Sequence, residues 1–261
     1  MEVRTLRVTA IANQKGGVGK TSTCVNLCAG LGLMGKKILL VDMDPQSNST
    51  SGLGIERNTI EMSVYDILVE NARLEQCVIE TEWKGVSVLP STIDLAGAEV
   101  ELVSMISRET RLKKALNDAT LYDHVIIDCP PSLGLLTLNS LVASNSIIIP
   151  IQCEYYALEG LSQLMKTIDL VKSHLNASLT LDGLLLTMFD SRTRLSRDVA
   201  EEVRSRFGDH VYKSAIPRNV RISEAPSHAM PVQYYDATSP GTTAYNKFAK
   251  EVLKRWQSKE A

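Results

Sequence analysis

The chain reads as α/β: one doubly wound, mostly parallel sheet with helices on both faces. Three observations predict this. Short apolar runs alternate with helix-length segments along the whole sequence, the order that βαβ units produce. Several runs are apolar at nearly every position, as strands are when both sheet faces are covered. The first run also passes through a glycine-rich turn directly into a helical pattern. At 261 residues the chain is long enough to bury a large core as one domain, 1–261, without a disulfide or metal staple.

The elements follow in order. Residues 8–12 form the first strand and residues 24–34 the helix after the glycines. Residues 37–41 are the second strand and 86–90 the third. Between them, residues 53–85 show no clear period and are expected to form helices and loops at the sheet edge. A helix is predicted over 99–115, then strands at 124–128 and 146–150. Leu158, Leu161, Leu164, Ile168, Val171 and Leu175 mark a long amphipathic helix. Residues 181–188 are a further strand. Such sheets bind ligands beyond the carboxyl ends of their strands.

Composition bounds the function classes. Apolar content of 44% and charged content of 22% are ordinary globular values. The net charge of −2 is unevenly spread: residues 185–261 sum to +4 and the rest to −6. A basic carboxyl-terminal portion raises the prospect of an anionic partner. Cys24, Cys28, Cys77, Cys129 and Cys153 form no C-x-x-C pair, and their scatter points to a reducing compartment. Cys24 and Cys28 share a helix face at a spacing that can bind metal, but small buried thiols on a core helix explain it without metal and are the expected reading. With no secretory signal and no apolar run of ~18 residues, a cytoplasmic protein is expected.

The glycine-rich turn reads Lys15-Gly16-Gly17-Val18-Gly19-Lys20-Thr21-Ser22. Strand, loop and helix in that order are the context of a phosphate-binding loop. Glycines let the backbone wrap so that its N–H groups converge on phosphate oxygens, and the helix start adds partial positive charge. Lys20 can reach the β- and γ-phosphates, and Thr21 can hold Mg²⁺. Gln14 stands where the usual pattern has its first glycine, and Lys15 adds a second lysine. A lysine there meets a desolvation penalty unless an anion joins it. Two apolar strands end in carboxylates, at Asp42 with Asp44 just beyond, and at Asp128. Asp128 has the placing of an aspartate that binds Mg²⁺ through water. Strand-terminal aspartates also start turns, but here both lie at the sheet end that carries the loop.

Residues 15–21, 41–46 (Val-Asp-Met-Asp-Pro-Gln), 126–132 (Ile-Ile-Asp-Cys-Pro-Pro-Ser) and 216–221 (Ile-Pro-Arg-Asn-Val-Arg) together resemble the ParA/MinD family of deviant Walker A P-loop ATPases, and within it the ParA-type partition branch. The likeness runs from about residue 7 to residue 256. It implies ATP and Mg²⁺ as ligands and ATP hydrolysis as the activity. It implies a homodimer with ATP buried between protomers, Lys15 reaching the partner's nucleotide and Gly16 and Gly17 near the contact. Gly19, Val18 and Ser22 complete the loop, Lys20 holds phosphate, and Thr21, Asp44 and Asp128 serve the metal. Asp44 also orients the attacking water. Met188, Pro217 and Asn219 line the adenine pocket. Arg192, Arg221 and Arg218 match DNA-binding positions, so non-specific double-stranded DNA and a ParB-type centromere-binding protein are the implied partners, with a nucleoid-associated location.

Two other readings compete. A MinD-type, membrane-recruited positioning ATPase would use a carboxyl-terminal amphipathic helix. Phe248, Val252, Leu253 and Trp256 share a face with lysines nearby, a pattern that a helix docked on the core also has. The DNA-partition motifs make membrane recruitment the lesser expectation. A redox relative of the nitrogenase iron protein would need bridging cysteines, and the spacing of Cys129 and Cys153 does not match that pattern.

Overall fold

The computed structural model describes residues 6–154 and 157–260. The chain runs β1 (Arg7–Ile11), α1 (Lys20–Leu33), β2 (Ile38–Asp42), α2 (Asn48–Gly52), α3 (Val64–Glu70), α4 (Leu74–Cys77), β3 (Ile79–Glu80) and β4 (Val86–Leu89). It continues α5 (Leu95–Glu101), α6 (Arg111–Leu116), β5 (His124–Asp128), α7 (Leu135–Ala143), β6 (Ser146–Gln152) and α8 (Ala157–His174). It closes with β7 (Thr180–Phe189), α9 (Arg194–Phe207), β8 (Val211–Pro217), α10 (Val220–Glu224), α11 (Val232–Tyr235) and α12 (Pro240–Glu260).

The strands form a single eight-stranded sheet in the order β3-β4-β2-β5-β1-β6-β7-β8. Every pairing is parallel except β3 with β4. Alternate strand residues feed two cores. Val8, Ala10, Leu39, Val41, Val125 and Ile127 face the layer that contains α3 and α5 to α9. Ile11, Ile38, Leu40 and Ile126 face α1 and α12. Both faces are covered, which is why these strands carry no polar alternation.

The predicted helix over 99–115 is two helices. The first ends in a 3-10 turn, Leu102–Ser104, and Ser107 is left-handed at φ +55°. Ser104 and Thr110 hydroxyls donate back to the carbonyls of Glu101 and Ser107, so local side-chain bonds displace the helical ladder. Residues 53–85 hold α3 and α4, as expected at an edge, and also the short antiparallel strand β3. The sequence reading did not foresee β8 or α9: β8 is short of fully apolar positions, and α9 is dominated by charge. The side chain of Leu158, one of the apolar positions predicted for α8, lies outside the described residues.

The apolar face of α12 is committed to the core. Phe248, Val252 and Trp256 are fully buried against α1 and β8. The Trp256 indole N–H donates to the buried Asp182 carboxylate at 2.7 Å, and the Tyr212 hydroxyl donates to the same oxygen at 3.0 Å. Among the described residues no helix is long and apolar enough to cross a membrane.

Candidate nucleotide site

The parallel register brings the carboxyl ends of β1, β2 and β5 level. Ile11 pairs with Asp128, and Asp42 pairs with the same Asp128. The glycine-rich loop leaves β1 at this edge and enters α1 at Lys20, four residues earlier than the helical pattern alone predicts. Gly17 (φ +74°) and Gly19 (φ +88°) are left-handed, a conformation that costs other residues about 1–2 kcal/mol. Gly19 caps α1, and the first helical bond runs from Thr23 N–H to its carbonyl.

The loop is pinned from both sides. The Asn13 amide donates to the Pro150 carbonyl at 2.7 Å, and the Thr187 hydroxyl donates to the Val18 carbonyl at 2.8 Å. Val18 is buried, whereas Gly16 and Gly17 are open to solvent. Lys20 is only 7% exposed, and its Nζ donates to the Lys15 carbonyl at 3.2 Å. A buried ammonium with a carbonyl for a partner is poised for an anion. Thr21 and Ser22 are half-buried in the first turn of α1. The Lys15 ammonium lies 3.3 Å from Glu154, which also sits 3.7 Å from Arg218. Glu154 was missed by the sequence reading; its place just past the apolar run of β6 is the same signal that marked Asp42 and Asp128.

Asp42 and Asp128 are both fully buried. Asp42 accepts from the Thr50 N–H and hydroxyl and from the Asp44 N–H. Burial, and next the neighbouring Asp128, still push its carboxyl up to about 7. Asp128 accepts from the Ser49 hydroxyl at 2.7 Å. Burial raises its pKa, opposed by hydrogen bonding from Ser49, by Thr21 and Cys24, and by the Lys20 charge. Its Oδ1 is buried without a hydrogen-bond partner. That orphaned oxygen, with the Thr21 hydroxyl facing the same carboxylate, suits a hard divalent cation that brings its own water and phosphate ligands. The described residues contain no cluster of three or more His, Cys, Asp or Glu able to hold a metal by themselves. Asp44 is half-buried at the rim, its carboxylate accepting from the Gln46 N–H at 2.9 Å.

Met188 and Pro217 end the adjacent strands β7 and β8, beside the loop contact made by Thr187. Met188 is itself left-handed at φ +50°. The Asn219 side chain caps α10 by accepting from the Arg221 N–H. A cavity of about 280 Å³ lined by Leu6, Val8, Leu116, Tyr122 and Asn145 lies at the opposite, amino-terminal edge of the strands, away from the loop.

Arg192 follows β7, and Arg218 and Arg221 follow β8, so all three occupy the same edge of the sheet. Each already faces a carboxylate. Arg192, 88% exposed, chelates Asp190 at 2.9 and 2.8 Å, and this pairing holds the Asp190 carboxyl down at about 2. Arg221 meets Glu224 at 2.9 Å and Asp236 at 3.3 Å. Exposed ion pairs contribute roughly 0–1 kcal/mol, so a phosphate can replace these partners at little loss. Cys24, Cys28, Cys129 and Cys153 are buried, the first two inside α1.

Comparison with known proteins gives a consistent outcome. A family model described as an AAA domain matches residues 6–181. The sporulation initiation inhibitor protein Soj of Bacillus subtilis is 59% identical over 247 residues, covering 94% of this chain and 98% of that protein. The chromosome partitioning protein ParA of Caulobacter vibrioides is 47% identical over 264 residues, covering 100% and 99%. Among solved structures, cobyrinic acid a,c-diamide synthase from Mycobacterium smegmatis, with bound ATP analogue and magnesium, superposes with a TM-score of 0.86 at 41% identity, covering 97% of each chain.

Proposed function

The chain belongs to the Soj/ParA family of partitioning ATPases, and from that premise we propose that it is an ATP-driven DNA-partitioning switch. In this reading ATP and Mg²⁺ bind at the glycine-rich loop, two protomers close around the nucleotide, and the dimer holds DNA without sequence preference. Hydrolysis, stimulated by a ParB-type centromere-binding protein, opens the dimer and releases the DNA. The observation that carries the nucleotide reading is Lys20: a 7%-exposed ammonium beneath a loop with two left-handed glycines, facing no carboxylate of its own at salt-bridge distance among the described residues.

Each residue then has a physical task. Lys20 neutralises the β- and γ-phosphates, and the loop N–H groups orient them. Thr21 and the orphaned oxygen of Asp128 would hold Mg²⁺. Mg²⁺, when bound, offsets the charge that builds on the phosphates. Asp44 orients water for in-line attack, and Gln46 N–H fixes its carboxylate. Lys15 leaves Glu154 and supplies a second positive charge to the nucleotide of the other protomer, which ties turnover to the dimer. Met188, Pro217 and Asn219 receive the adenine.

Arg192, Arg218 and Arg221 exchange their carboxylates for DNA phosphates. One protomer offers few contacts; a dimer doubles them and raises affinity by avidity. In this reading the protein acts on the nucleoid. A membrane-recruited reading would need the apolar face of α12 to be free, and that face is buried.

The test is binding to random-sequence duplex with ATP, with ADP and without nucleotide, at two salt concentrations. Binding confined to ATP and weakened by salt supports the switch. Binding that ignores nucleotide, or that survives Arg192→Glu with Arg221→Glu unchanged, refutes it.

A further inference from the structure

Helix α5 and the 3-10 turn that continues it to Ser104 are apolar on two sides. Leu95, Ala98 and Leu102 point into the core and are buried. On the outer side Ile93, Val100, Val103 and Ile106 are 68%, 76%, 59% and 90% exposed. Positions 93, 100 and 103 fall on one helical stripe, with exposed Ala96 and Gly97 between them. A surface helix ordinarily turns a polar face to water, and single exposed apolar residues are commonplace. A continuous apolar stripe backed by a second, buried apolar face marks an interaction surface.

Carboxylates border the stripe. Asp94 and Glu101 lie along one side by helical spacing, whereas Glu99, on the other, turns a buried carboxylate oxygen toward Gly134. The Tyr65 hydroxyl donates to both Glu101 oxygens at 3.1 and 3.2 Å, and its other charged neighbours are Glu70 and Asp94. Arg108, the cation next along the chain, is held by Glu109 and by the Val103 carbonyl.

This pattern selects its occupant. A second copy docking face to face would set Asp94 and Glu101 against their own equivalents. Four large apolar side chains also fall well short of the roughly 800 Å² per partner that a stable dimer buries. An anionic lipid surface would be repelled by the same carboxylates. We propose that the outer face of α5 is a docking site for a short cationic amphipathic helix of another protein. Such a helix lays anchors at i, i+3/i+4 and i+7 along the stripe and sets lysines or arginines against the acidic border formed by Asp94 and Glu101. The assignment rests on this surface alone and is independent of the nucleotide and DNA readings.

The site also has a path inward. Glu99 abuts Gly134, the cap of α7: a Cβ there would lie 1.9 Å from Glu99 Oε1. The far side of α5 thus contacts the turn that follows Asp128.

The probe is a fluorescent synthetic helix of roughly 14 residues, leucines on one face and lysines on its flanks, with a scrambled peptide of equal composition. Anisotropy titration of the full chain at near-physiological salt should show saturable binding of the helix and roughly tenfold weaker binding of the scramble. Val100→Ser with Val103→Ser and Ile106→Ser should weaken the helix by about the same factor, with the unfolding midpoint little moved because these side chains are already exposed. No binding, equal binding of the scramble, or unchanged affinity in the serine variant overturns the proposal. So does a serine variant that loses self-association, which assigns the stripe to a second copy. Stripe-dependent flotation with phosphatidylglycerol vesicles overturns it in favour of lipid.

Discussion

Replacing Asp42 by asparagine tests the electrostatics beneath the loop. Asp42 and Asp128 stand side by side on β2 and β5, both out of contact with water. Burial first, and the Asp128 charge second, lift the Asp42 carboxyl to about 7, although three donors oppose the rise. In an unfolded chain the same carboxyl titrates near ~3.9. Between these values the folded chain keeps a proton that the unfolded chain has released, so stability falls as pH rises. Fully expressed, the loss is on the order of 4 kcal/mol between about pH 4 and about pH 7. Asp42→Asn removes that titration. It also leaves one amide oxygen for the Thr50 N–H, the Thr50 hydroxyl and the Asp44 N–H, so the variant is less stable at low pH. The diagnostic is therefore the slope. Urea unfolding in EDTA without nucleotide, from about pH 5 to about pH 8, should give a clearly flatter profile for the variant. Adding Mg²⁺ with ADP should flatten the parent profile, because a cation beside Asp128 offsets the repulsion. Parallel profiles for parent and variant would show that the pair does not titrate in this window and would sink the account.

Three further outcomes are expected. Asp44→Ala should lower single-turnover hydrolysis by at least roughly a hundredfold while ATP binding, followed by calorimetry, stays near the parent value; ordinary turnover would remove Asp44 from the reaction. Lys20→Ala should weaken Mg·ADP binding by roughly a hundredfold, as loss of a buried charge-assisted contact does, and near-parent affinity would refute the phosphate role. Trp256→Ala should destabilise the fold by about 3–5 kcal/mol in urea, through a cavity beside Asp182 and the loss of one of its donors; a change below about 1 kcal/mol would mean that α12 is not a core element.

Local chemistry was legible in the chain itself. The loop could be read because its conformation is encoded by contiguous residues: Gly17 and Gly19 adopt the left-handed backbone, and Lys20 opens α1 immediately after them. The strands could be read because burial on both faces writes itself as unbroken apolar runs, as in β2, β5 and β6. Strand-end position likewise singled out Asp42, Asp44 and Asp128. Less came through where local signals compete. The break after α5 turns on hydroxyl back-bonds and a left-handed Ser107, which a hydrophobic period does not register. The short, partly exposed β8 and the charged α9 carry too little apolar contrast to stand out.

The sequence by itself determined the sheet, the glycine-rich loop and the family, because each rests on the conformational preference or polarity of neighbouring residues. Tertiary structure alone decided which charges meet. Asp42 and Asp128 become neighbours only through the register of β2 against β5. Lys15 finds Glu154 from 139 residues away. The amphipathic face of α12 could have met water, lipid or core, and it packs on α1 and β8 with its indole bonded to Asp182. Coulomb energy and desolvation depend on distance and surroundings in space. A one-dimensional pattern supplies neither until parallel strands, distant in the chain, are set side by side.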